Sequence, residues 1–141
     1  MPLDGPDPPR PSVRLTIAPQ ARLLGTVRLV VATAARRAGM EDELVEDLKL
    51  AVSEVCSAAV HGDQEPRAGF IEVELAEYGG RFVVEIRDPG PAVDPAGDRE
   101  FSLALAGSLV SGLESEERPG GGFVTRFWLP SGPADDVSDD W

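Results

Sequence analysis

The chain has 141 residues, enough for one domain with its own core, and 42% of them are apolar. Its net charge of −12 repels phosphate backbones, which argues against direct nucleic-acid binding and favours a basic protein partner. Cys56 is the single cysteine, which excludes an internal disulfide or a cysteine-rich metal site. No apolar run approaches the ~18 residues of a membrane span, and no basic-then-apolar leader opens the chain, so a cytoplasmic protein without a membrane contact is expected.

Residues 1–12 hold five prolines and little to bury, and are expected to form a disordered arm. Val13 to Ile17 alternates apolar and polar residues, the period of a half-buried strand. Pro19 fits the first turn of a helix, where its missing N–H does no harm. Leu23, Val27, Val30, Val31, Ala34 and Ala38 would give that helix one apolar face, with Arg36 and Arg37 at its negative end and Gly39 to stop it.

A second helix is expected from about Glu41 and Asp42, acids suited to an N-terminus, to Gly62. Leu44, Leu48, Ala51 or Val52, Val55 and Ala59 form its apolar stripe, and Cys56 reads as a small core residue or, less simply, a reactive thiol. Beside that stripe Glu54, Ala58 and His61, the only histidine, follow each other by four and three residues and share a face.

After a polar loop over 63–69, Ile71, Val73 and Leu75 alternate with Glu72 and Glu74 in a strand with one wet face. Gly79-Gly80 signals a tight hairpin, and Phe82, Val84 and Ile86 carry the return strand to Asp88. Residues 89–97 must loop, being rich in proline and glycine. Leu103, Ala106, Val110 and Leu113 repeat at helical spacing and predict a third helix; Glu114 to Glu117 can form a brief strand. Pro119-Gly120-Gly121-Gly122 turns the chain into a last strand on which Phe123, Thr125, Phe127 and Leu129 share a face. The tail over 131–141, with four aspartates, should be solvated and disordered. The order of elements predicts an α+β two-layer sandwich, an antiparallel or mixed sheet with helices on one face.

These pieces in this order, over about residues 13–130, resemble the partner-switching anti-sigma factors, serine kinases of the GHKL (histidine kinase-like) ATPase superfamily. The likeness is greatest to their actinobacterial members, which act on stress or developmental sigma factors. The family pattern on the second helix is a glutamate, a magnesium-binding asparagine four residues later and often a histidine four further on. Glu54 matches, and the resemblance makes it the general base that accepts the substrate hydroxyl proton. The asparagine position is Ala58, whose methyl cannot supply the oxygen that magnesium requires. His61, one residue short of the pattern, is carried as a nucleotide-binding candidate. Without the resemblance, Glu54 is an exposed helix acid and His61 a residue favoured by the dipole at a helix end.

Asp88-Pro89-Gly90-Pro91-Ala92 fits the family's Asp-x-Gly-x-Gly/Ala motif. By resemblance Asp88 accepts a hydrogen bond from the adenine amino group and Gly90 allows close approach, with Ala92 completing the motif as a nucleotide-binding candidate; as a bare string, Asp-Pro-Gly is also an ordinary turn. The phosphate-cradling glycines expected before the third helix are replaced by Arg99-Glu100-Phe101-Ser102-Leu103. Asp98 and Glu100 put carboxylates at that positive helix end, where they compete with phosphate or simply stabilise the helix start. The family's late Gly-Thr is Gly122-Phe123. Each lost charge-assisted contact costs roughly 1.5–3 kcal/mol, so three additive losses would weaken a nucleotide by roughly three to six decades.

The resemblance therefore implies ATP and magnesium as cofactors, a sigma factor and a STAS-type anti-anti-sigma protein as partners, and a homodimer. The altered motifs favour a regulator that sequesters the sigma factor with weak or lost ATP binding. The alternative is an active ATP-dependent serine kinase that phosphorylates its antagonist, and a third reading is a regulatory domain with some other partner.

Overall fold

A computed structural model describes residues 13–60, 69–90 and 98–132 of the chain. Five strands form one sheet: β1 (Val13–Ile17), β2 (Ile71–Tyr78), β3 (Arg81–Asp88), β4 (Ser111–Glu117) and β5 (Phe123–Pro130). Their order is β1-β2-β3-β5-β4 and every neighbouring pair is antiparallel, so the sheet is antiparallel and not mixed. Gly79 and Gly80 close the β2–β3 hairpin with φ of 61° and 79°, the paired positive values of a two-residue turn matched to strand twist.

The helices are α1 (Leu24–Arg37), α2 (Asp42–Ser57) and α3 (Asp98–Gly107). α1 starts later than Pro19 predicts, because Pro19 and Gln20 precede a single 3-10 turn over Ala21–Leu23. Its end follows the sequence closely. Gly39 takes φ 87°, its N–H donates to the Arg36 carbonyl, and the Met40 N–H reaches back to the Ala35 carbonyl. This six-to-one and five-to-two pairing adds donors to the Ala35 and Arg36 carbonyls at the helix end, and Met40 is buried in the core.

α2 stops at Ser57, short of the expected Gly62; Ala58 to Val60 continue as turns held by Ala59 and Val60 N–H groups on the Cys56 and Ser57 carbonyls. α3 is also shorter than its spacing suggests. Gly107 ends it, and Leu113 belongs to β4, where alternation rather than helical period sets its side. β4 is an edge strand rich in serine and glutamate, polar enough to hide its apolar period from a sequence reading.

α2 organises the molecule. Val45, Leu48, Ala51, Val52, Val55 and Cys56 are all buried and pack with Ile71, Val73 and Leu75 of β2, Val84 and Ile86 of β3, and Phe127 of β5 in one core. Removing a leucine such as Leu48 from water contributes about 1.5–3 kcal/mol, so this stripe supplies much of the drive for the helix layer to cover the sheet. The opposite sheet face is charged. Glu74 and Glu85 stand directly across from each other in the β2–β3 register, a like-charge pairing that arginines must offset. Arg87 bridges both, at 3.3 Å from Glu74, while Arg14 reaches Glu74 at 3.5 Å and Arg126 reaches Glu85 at 2.7 Å. Among the described residues no helix is long and apolar enough to cross a membrane.

Candidate functional site

The site forms where β3 and β5 end together under the start of α3. Asp88 closes β3 opposite Phe123, the first residue of β5. Its side chain is wholly buried, which is tolerable only because the carboxylate is well bonded. The Gly90 N–H donates to Asp88 Oδ1 at 2.7 Å, an Asx-type turn in which the carboxylate stands in for a backbone acceptor. Gly90 holds φ 77°, so the glycine of this motif is required by the backbone itself.

Gly122 presses on the same corner. Its φ is 86°, and a Cβ there would run into the Asp88 carbonyl oxygen, with Pro89 Cα at 3.3 Å. The retained glycine of the Gly122-Phe123 pair is thus explained by packing alone.

Arg99, in the first turn of α3, supplies a second partner among those the described residues provide. Its Nη2 donates to Asp88 Oδ2 at 3.4 Å, and its guanidinium carbon lies 3.6 Å from the centroid of the Phe123 ring. The side chain is only 8% exposed, so ion pair and ring contact operate in a poorly solvated setting. Arg99 Nε and Nη1 meet no acceptor among the described residues.

Cys56 approaches from α2. Burial first, and the Asp88 charge second, push its thiol from an ordinary 9.0 up to about 12. It stays protonated at neutral pH and behaves as the small core residue expected, because the thiolate is the reactive form.

Glu54 is half-buried on α2, and its carbonyl accepts the Ala58 N–H at 3.3 Å, so the two are one turn apart on the same side as the spacing predicts. Ala58 is itself buried. A buried methyl at this point offers magnesium nothing, and among the described residues no three His, Cys, Asp or Glu side chains group to hold a metal. Ala58 therefore does not fit the role of a magnesium ligand. His61 and Ala92 lie outside the described residues, as do the arm over 1–12 and the tail from 133 on. Ser131 continues from β5, buried, with its N–H on the Gly80 carbonyl.

The structure thus brings Asp88 and Gly90 together and adds Arg99, Phe123 and Gly122. Arg99 was missed from sequence as a site residue. The available signal was an arginine within the stretch that lacks phosphate-binding glycines, together with an aromatic at the position of the late hydroxyl.

Residues 17–126 match the family model of the Histidine kinase-like ATPase domain. The Serine-protein kinase RsbW of Bacillus subtilis (strain 168) is 31% identical over 83 residues, covering 58% of this chain and 52% of that protein. The protein of the same name from Halalkalibacterium halodurans is 30% identical over 98 residues, covering 69% of this chain and 59% of its own length. The chain spans about half the length of the curated relatives it matches. The solved structure of the RsbU and RsbW domains of a Mycobacterium tuberculosis protein superposes on 89% of the chain and 33% of its own with TM-score 0.67 and 22% identity, a likeness of fold.

Proposed function

The chain belongs to the histidine kinase-like ATPase domain family, and from that premise we propose that it is an anti-sigma factor-like regulator with weak or lost ATP binding. In this reading it sequesters a sigma factor and is released by a STAS-type anti-anti-sigma antagonist. The observation that carries the reading is Arg99 on Asp88: the carboxylate that would receive the adenine amino group already has both oxygens engaged by the chain itself. The methyl of Ala58 supports it, since the expected magnesium ligand is gone. A net charge of −12 suits a partner with a basic surface and disfavours nucleic acid. The protein acts in the cytoplasm as a homodimer in this account.

The test is capture from an extract of the native cell on the immobilised chain, with magnesium and ATP removed. A sigma factor retained under those conditions, and eluted by its antagonist, is the expected result. Capture of other proteins but no sigma factor would replace this reading with that of a regulatory domain of different specificity.

A second reading is an active serine kinase. Its support is the name of the relatives from Bacillus subtilis and Halalkalibacterium halodurans, serine-protein kinase, together with the retained Glu54 in the place of a general base. Labelled ATP incubated with the chain and its antagonist separates the two. Label on an antagonist serine would establish the kinase, and an unlabelled antagonist in an intact complex would exclude it.

A further inference from the structure

We propose that Arg99 is a built-in occupant of the base-binding corner, so that an adenine nucleotide enters only by expelling it. The inference rests on the reading of Asp88 as the base-binding aspartate and deepens it by naming what competes there.

An amino-purine is recognised by two things, an acceptor for its exocyclic amino group and a flat surface for its ring. The corner has both, and Arg99 takes both. Nη2 donates to Asp88 Oδ2 at 3.4 Å, and the planar guanidinium covers the Phe123 ring at 3.6 Å. A guanidinium copies an amino-purine in these respects, being flat, delocalised and a donor along its edge. It adds a full positive charge, which a buried carboxylate accepts more strongly than a neutral amine.

The seat is nonetheless one that Arg99 can leave. The ion pair is long for a charged hydrogen bond, and Nε and Nη1 find no acceptor among the described residues. The Gly90 N–H on Oδ1 would remain and keep Asp88 oriented when Arg99 departs.

ADP without magnesium is the suitable probe, because it removes the metal question tied to Ala58. Backbone amide shifts in an NMR titration give its affinity for the wild-type chain, Arg99→Ala and Arg99→Gln. The expected result is binding at least ~10-fold tighter in Arg99→Ala, equivalent to about 1.4 kcal/mol, and a smaller gain in Arg99→Gln, whose amide can still donate to Asp88. In the wild-type chain the Arg99 Nε–H resonance should shift in step with the Gly90 amide as ADP is added, a readout that needs no variant to fold. Equal or weaker ADP binding by a folded Arg99 variant would overturn the proposal, as would Gly90 shifts with an unmoved Arg99 Nε–H. Tight ADP binding by the wild-type chain would contradict the weak-nucleotide reading alone, since the plug is judged by the change on removing Arg99.

Discussion

The Arg99 guanidinium sits between Asp88 and the Phe123 ring, 3.4 Å from the carboxylate and 3.6 Å from the ring centroid. One side chain thereby ties the N-terminus of α3 to the ends of β3 and β5. Asp88→Ala would strand a buried cation and release the Gly90 N–H. The expected loss of stability is roughly 3–5 kcal/mol in urea unfolding, the range for breaking a buried pair by removing one partner. A loss below about 1 kcal/mol would mean that water or another acceptor readily takes over from Asp88.

Cys56 gives a pH dependence with a defined sign. Its thiol is raised in the folded chain from 9.0 to about 12, so between these values the unfolded chain has lost a proton that the folded chain retains. The stabilisation is fully present below pH 9.0 and is lost as pH rises toward about 12, with a slope of about 1.4 kcal/mol per pH unit. Unfolding between pH 9 and 10.5 should show that slope reduced in Cys56→Ala, whatever offset its cavity adds. Parallel curves for the two proteins would contradict it.

Gly122→Ala tests the corner sterically. The added methyl meets backbone on a residue with φ 86°, where neither the Asp88 carbonyl nor Pro89 can yield without moving β3 against β5. A destabilisation of roughly 1–3 kcal/mol is expected from the strain, with shifted Asp88 and Gly90 amides. Gly120→Ala is the control for backbone strain alone, since among the described residues no neighbouring atom lies within 4 Å of its added Cβ.

On the open sheet face, Arg87 separates Glu74 from Glu85. Arg87→Ala should cost about 1 kcal/mol at low salt, and less at 1 M salt, because it removes two partly exposed pairs and uncovers a like-charge contact. A cost independent of salt would point to lost packing of the arginine stem instead.

Much of this architecture was legible in the sequence. β1, the Gly79-Gly80 hairpin and β5 alternate cleanly because one sheet face meets the core and the other meets charge. The Gly39 stop was readable because only glycine takes that φ at no cost. The ends of α2 and α3 were not. Ala58 to Val60 keep apolar residues at helical spacing although the helical hydrogen bonds have already lapsed into turns, and Leu113 joins a strand whose other residues are polar. In the site, Asp88 and Gly90 were found from their motif, whereas the pairing of Asp88 with Arg99 needed the fold, since eleven residues and a loop separate them. No local spacing rule predicts such a contact.

The central claim, that the nucleotide site has been turned over to structure, is tested most directly by calorimetric titration of the wild-type chain with magnesium-ATP. The account predicts no saturation up to ~1 mM nucleotide, the level to which a micromolar site falls after losing about three decades of affinity. Saturable one-to-one binding at low micromolar concentration would contradict it.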